Sequence, residues 1–392
     1  MQYNDFCGER VSRLGFGCMR FPMLDNGEID EAQVREMVRI AMESGVNYFD
    51  TAWPYLEGKS ELVIGRCLKE YPRSSWFIAD KFPGHQLQSS FDPAAVFEKQ
   101  LEKCQVGYFD FYLLHNVYEG SIGAYEDPRW GIIDYLAEQK RNGRIRHLGF
   151  SSHALPGTLE RIADKYADVL EFCQIQLNYL DWTLQDARTK YNMLTERNIP
   201  VVVMEPVRGG KLADLDAQTV TQMKAMRPED SPAAWSFRWL RELDGVKVIL
   251  SGMSSVDQMQ DNVKTFSDDG VLSNEEKLFI EAKAEELKDA VPCTACAYCR
   301  PGCPMQLDIP MLIAQYNDAK FRSNNICITA FMESLPEDKL PGACIGCGAC
   351  ARICPQKIDI PDVMSKFAEL YKTMPSWAAV CREREEAEKR LG

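Results

Sequence analysis

No Gly-x-Gly-x-x-Gly follows the first apolar segment of this chain, which argues against the glycine-rich dinucleotide turn of a doubly wound sheet. Long apolar runs are missing too. None approaches the ~20 residues that cross a membrane, and Met1-Gln2-Tyr3-Asn4-Asp5 has neither the basic nor the apolar region of a signal peptide. Positive charge is in deficit: 45 Lys and Arg stand against 58 Asp and Glu, a net charge of −13, so nucleic-acid backbones and anionic membranes are poor partners. These absences point to a soluble, cytoplasmic protein. Cysteine, by contrast, is plentiful. Of fifteen, eight crowd into two short segments, and without an export signal such clustering points to metal ligation rather than disulfides.

The first two-thirds alternate strand and helix patterns. Residues 14–20 read as a first strand, after a polar segment that suits a hairpin over the bottom of a barrel. Helical spacing over 31–44 places Val34, Met37, Val38, Ile40 and Ala41 on one face. Strands follow at 46–49, 76–81, 109–114, 145–151, 172–177, 200–205 and 246–250. Helical segments separate them near 60–70, from Asp92-Pro93 onward, and near 129–142, 156–166, 183–197 and 231–242, with a long polar connection before the last. Eight strand–helix units with long crossovers predict a parallel sheet closed into a (β/α)8 TIM barrel, an α/β fold whose chemistry sits at the strand ends.

Three strand ends carry polar groups. Asp50-Thr51-Ala52-Trp53-Pro54-Tyr55 leaves the second strand, Lys81 ends the third and His115 the fourth. Asp-Thr-Ala-x-x-Tyr-x-x-Gly-x-Ser-Glu-x-x-x-Gly, over 50–65, together with Lys81 and His115, resembles the signature of the aldo-keto reductases. The carbonyl reduction that this resemblance implies needs a proton donor, and a tyrosine with a pKa near 10 gives its proton up reluctantly unless a lysine ammonium favours the phenolate. Tyr55, Lys81 and Asp50 would fill the roles of donor, activating cation and lysine partner, with His115 orienting the carbonyl. Taken singly, each has a structural alternative as a cap, an ion pair or a packed ring; His85, His147 and His153 show no comparable setting.

That resemblance implies a carbonyl/alcohol oxidoreductase acting on a small molecule with NAD or NADP laid across the strand ends. Ser151, Ser152 and Gln174 would hold the nicotinamide carboxamide. Residues 205–212, with Pro206, Gly209 and Leu212, would cover the pyrophosphate. Ser251, Gly252, Met253, Gln258 and Asn262 would meet the adenosine. The chain departs from the family where Asn often replaces Ser152, where an aromatic often stands near Met204, and where bases that grip a 2′-phosphate appear as Gly252 and Gln258. The last departure makes NAD at least as expected as NADP. Trp53, Phe82, Tyr118 and Trp182 are candidate walls of the substrate pocket.

Residues 274–289 read as a charged connecting helix. Beyond it, Cys293, Cys296, Cys299 and Cys303, then Cys344, Cys347, Cys350 and Cys354, repeat a C-x2-C-x2-C-x3-C-P run. This resembles two-cluster ferredoxins and implies two [4Fe–4S] clusters, one on Cys293, Cys296, Cys299 and Cys354 and one on Cys344, Cys347, Cys350 and Cys303. Zinc would want paired ligands across longer loops. The intervening Met311-Leu312-Ile313 and Phe331-Met332 look helical, so a mainly α-helical ferredoxin-like domain is expected. The boundaries are then 1–268 for the barrel, 269–290 for the connecting helix and 291–392 for the cluster domain. Residues 382–390 read as a solvated helix, and Cys7, Cys67 and Cys327 as apolar fillers. The expected function is a reductase coupled electrically to a ferredoxin- or flavodoxin-type carrier, with a flavin as one way to pair electrons. Two alternatives are a ferredoxin-driven reductase without nicotinamide and a non-catalytic redox-sensing or electron-transfer subunit.

Overall fold

A computed structural model describes residues 1–86, 92–287, 291–321 and 326–376; the expected helix at 382–390 and the side chain of Cys327 lie outside the described residues. An antiparallel hairpin, β1 (Tyr3–Phe6) and β2 (Glu9–Ser12), opens the chain. Eight strands then close into a barrel: β3 (Leu14–Gly17), β4 (Tyr48–Asp50), β5 (Phe77–Phe82), β6 (Phe109–Val117), β7 (Ile145–Ser152), β8 (Cys173–Gln176), β9 (Val201–Met204) and β10 (Val246–Ser251). Each is parallel to the next, and β10 pairs back onto β3 with Ile249 opposite Leu14. The (β/α)8 architecture read from the alternation is therefore the observed one.

Local signals place the helices. Asp30 accepts from the Gln33 N–H to start Glu31–Glu43, whose Val34, Met37, Val38 and Ala41 are buried. Asp92 and Ser231 cap Pro93–Cys104 and Pro232–Leu240 in the same way, each with proline in the first turn. The polar connection before 231 holds an unforeseen helix, Ala217–Met226, which buries little beyond Thr219 and Met223. Its apolar stripe is too thin to show in the sequence.

Packing divides into two layers. Between strands and helices lies the large outer core. Inside the barrel, Tyr48, Phe111, Phe172, Val202 and Val248 fill the lower half, and Phe6 of the hairpin joins them fully buried. Its ring stacks on Phe111 at 4.6 Å and meets Phe172 edge-on at 5.1 Å. The hairpin thus stoppers the barrel floor, and only the opposite end, where the strands finish, is left for chemistry.

The chain divides into two compact units, 1–284 and 285–392. Helix Asn274–Leu287 packs back on the barrel, with Phe279 against Trp235 and Glu276 paired to Arg227 at 2.7 Å. The second unit is helical, with Ile309–Phe321, Ile326–Glu333 and Ile360–Thr373 around a core of Leu312, Met332, Met364 and Phe367.

Candidate active site

Asp50 ends β4, Lys81 lies on β5 and His115 on β6, while Tyr55 opens a tight turn in which Leu56 and Glu57 take left-handed φ values of 52° and 57°. Lys81 is fully buried and donates to Asp50 Oδ1 at 2.5 Å and to the Thr51 carbonyl at 2.7 Å. Its ammonium stands 4.9 Å from the centre of the Tyr55 ring, and that ring meets His115 edge-on at 5.8 Å. The fold therefore brings together four side chains that are spread over 66 positions of sequence from Asp50 to His115.

Burial dominates their electrostatics. It raises the Asp50 carboxyl, against which Lys81 pulls. It holds the Tyr55 phenol well above its usual value, and the Asp50 and Glu205 carboxylates add to the rise. Burial thus outweighs the lysine-lowered phenol foreseen from chemistry alone and keeps Tyr55 a neutral acid, while Lys81 is held by Asp50 and Thr51. His115 is pushed well below the ordinary imidazole range by burial, then by His85 and Lys81, so it is neutral.

Sequence reasoning missed two of the neighbours. His85 packs edge-on against His115 at 4.7 Å, and burial lowers it to about 4. His153 is lowered to about 3, again by burial first. Their signal was position: one lies four residues past Lys81, the other immediately after Ser152. His147 is elsewhere, on the Phe111 ring at 5.1 Å and beside Glu171. Of the expected pocket walls, Phe82 is buried, Trp53 lies under the Lys103 ammonium at 4.7 Å, and Trp182 packs on Trp239 and Tyr191.

The expected nucleotide residues occupy the ends of β7 to β10 and the segments after them. Ser151 Oγ accepts from the Asn116 N–H at 2.8 Å. Ser152 Oγ donates to the Val117 carbonyl and accepts from the Ala154 N–H. Gln174 is buried, and its Oε1 has no hydrogen-bond partner among the described residues. After β9 the chain turns tightly through Glu205, Pro206, Arg208, Gly209 and Gly210, with Gly210 at φ 97° and Leu212 buried. A side chain added at Gly210 would meet nothing within 4 Å among the described residues, so with respect to them the turn is open. Arg208 is pinned to Asp181 at 2.9 Å, both buried. Asn262 donates to Ser251 Oγ at 2.8 Å, Gln258 Oε1 accepts from the Ser254 N–H at 2.7 Å, and Met253 is buried. Arg20, which sequence reasoning gave no role, lies against Gly252: a Cβ there would stand 3.2 Å from Arg20 Cδ. Its guanidinium is 3.5 Å from Glu205.

The eight cysteines fall around two cavities of the second unit. Cys303, Cys344, Cys347 and Cys350 line one, and Cys293, Cys296, Cys299 and Cys354 the other. Among the described residues, however, no group of three or more His, Cys, Asp or Glu is placed to hold a metal ion. The expectation of two resident [4Fe–4S] clusters is corrected accordingly. The thiols share their cavities with Ile309 and Ile360. The expected electrical coupling to a carrier rested on those clusters, and no metal site among the described residues supports it.

Compared with known proteins, residues 13–284 match the model of the Aldo/keto reductase family, and residues 292–358 match that of a 4Fe-4S dicluster domain. The chain is similar to a probable aldo-keto reductase 1 of Glycine max, at 28% identity over 230 residues, 56% of this chain and 63% of that protein. It is similar to the L-galactose dehydrogenase of Arabidopsis thaliana at 26% over 303 residues, 71% of this chain and 91% of that one. It thus spans under two-thirds of the soybean relative and most of the Arabidopsis one. A solved aldo-keto reductase from Bacillus halodurans in its holo form superposes with a TM-score of 0.56 at 25% identity, covering 72% of this chain and 96% of that one.

Proposed function

Since the chain belongs to the aldo/keto reductase family of oxidoreductases over residues 13–284, we propose that it interconverts a small organic carbonyl compound and its alcohol with NAD(P)(H). The observation that carries this reading is the convergence of Asp50, Tyr55, Lys81 and His115 at the open end of the barrel. When bound, the nicotinamide ring supplies or accepts the hydride. The residues fit such a group: the unpartnered Gln174 Oε1 suits an amide, and the open turn through Gly210 leaves room for a phosphate chain.

Reduction then divides among the side chains. Tyr55, kept neutral by burial, holds the proton that the developing alkoxide takes, so that hydride and proton together complete the alcohol. The Lys81 ammonium beside the ring stabilises the phenolate left behind. Asp50 fixes that ammonium, and neutral His115 orients the carbonyl without competing for the proton. In oxidation Tyr55 receives the proton.

A panel of aldehydes and ketones assayed with NADH and with NADPH tests the reading. Turnover by the wild type, and a fall in kcat of at least about 100-fold in Tyr55→Phe with nucleotide Kd unchanged, is the expected result. Equal turnover by the two proteins would remove Tyr55 as proton donor, and no turnover on any substrate would remove the activity.

A further inference from the structure

Past Asp50 the ladder between β4 and β5 stops. Asp50 pairs with Ala79, the Thr51 N–H donates to the Ala79 carbonyl at 2.9 Å, and the chain then departs for the turn that carries Tyr55. Alternate peptide groups of a strand face the same side, so the main chain of Lys81, two residues beyond Ala79, faces the side that β4 has left. Bringing Tyr55 into the site therefore leaves a buried N–H and C=O of the lysine to be met by something other than a strand.

Side chains meet both. The Lys81 N–H donates to Asp80 Oδ1 at 2.8 Å, and the Lys81 carbonyl accepts from Gln100 Nε2 at 3.1 Å. Gln100 belongs to helix Pro93–Cys104 and is fully buried. Its Nε2 also donates to Glu61 Oε1 at 3.0 Å, and its Oε1 accepts from the Tyr112 hydroxyl of β6. Carbonyl and carboxylate can only accept, so this amide has one orientation, and Tyr112 locks it. Glu61, in the first turn of helix Ser60–Leu68, is buried and paired with Lys103, so the amide meets a charge already balanced. A side chain that merely filled space would need none of these atoms.

Resting on the reduction reading above, we propose that Gln100 is a positioning residue for Lys81: by holding the Lys81 carbonyl where β4 has departed, it fixes the ammonium between Asp50 and the Tyr55 ring. Gln100 acts through Lys81, and Tyr112 and Glu61 act through Gln100.

Gln100→Met keeps the length of the side chain and removes its hydrogen bonds. It should lower kcat about tenfold while KM for the carbonyl and Kd for NADH stay as in the wild type. A displaced ammonium stabilises the Tyr55 phenolate less, so the phenol should titrate about one unit higher. Two readouts follow that shift: the rise of alcohol oxidation with pH, and ultraviolet difference titration against Tyr55→Phe protein, which needs neither substrate nor nucleotide. The other charged groups around Tyr55 are Asp50, Asp80 and Glu205, and all of them stay in place. Phe6→Leu, at the barrel floor, is the control for stability alone and should lower the melting temperature with kcat and titration unmoved. Tyr112→Phe removes one hydroxyl and frees the amide to turn, so it should move kcat and the titration in the same directions by smaller amounts, even if Gln100→Met fails to fold. An unmoved Tyr55 titration in a folded variant, with only the melting temperature lowered, would make Gln100 a packing residue and overturn the assignment. So would a raised KM with kcat kept. If the wild type reduces no carbonyl, the activity reading fails, and the ultraviolet titration still decides whether Gln100 sets Lys81.

Discussion

At the scale of single residues, the buried Lys81–Asp50 pair is the most exposed to damage. Neither side chain has water to fall back on, so removing one leaves an uncompensated charge in the barrel. Lys81→Met should therefore lose about 3–5 kcal/mol of stability on urea unfolding, besides losing turnover. Histidine gives a second prediction. Burial holds His85 and His153 at about 4 and about 3, against an ordinary 6.5, so the unfolded chain binds the extra protons between those values. Their contribution to stability is full above about pH 6.5 and is lost as pH falls toward 4, and the melting temperature of the barrel should drop across that window. Over pH 6–8 both stay neutral, as does His115, so kcat/KM should show no inflection near 6.5.

At the scale of elements, Phe6 shows how a four-residue strand closes the barrel floor. Phe6→Ala would empty a site ringed by Tyr48, Phe111 and Phe172, costing about 3–5 kcal/mol by calorimetry. Gly65 is equally intolerant: a Cβ there would stand 2.7 Å from the main chain at Lys103 and Cys104, which cannot move aside as a side chain end does. Gly65→Ala should destabilise by about 1–3 kcal/mol, measured in the same way. Most of these elements were legible in advance because strands buried on both sides read as continuous apolar runs. Asp50, Lys81 and His115 stood out as polar groups at the ends of such runs. Helix Ala217–Met226 left no such trace, since it buries so little. His85, His153 and Asn116 gain their settings from rings and strands distant in sequence, and Arg20 from Gly252 across the barrel seam, which no local pattern encodes.

At the scale of the whole molecule, the two compact units each own a hydrophobic core, one around the barrel and one around Leu312, Met364 and Phe367. Heat unfolding should accordingly show two transitions in scanning calorimetry, and a single two-state transition would mean that the units melt as one. The barrel also has a seam, where β10 lies against β3. A ring made from a linear chain has one joint that synthesis must leave to the end. While translation proceeds, Leu14–Gly17 pairs with β4 on one side only and waits for Val246–Ser251, the last strand to emerge, a delay of roughly 10–50 s at ordinary elongation rates. Through that interval the nascent protein carries a bare strand edge that any other chain on the same messenger could occupy.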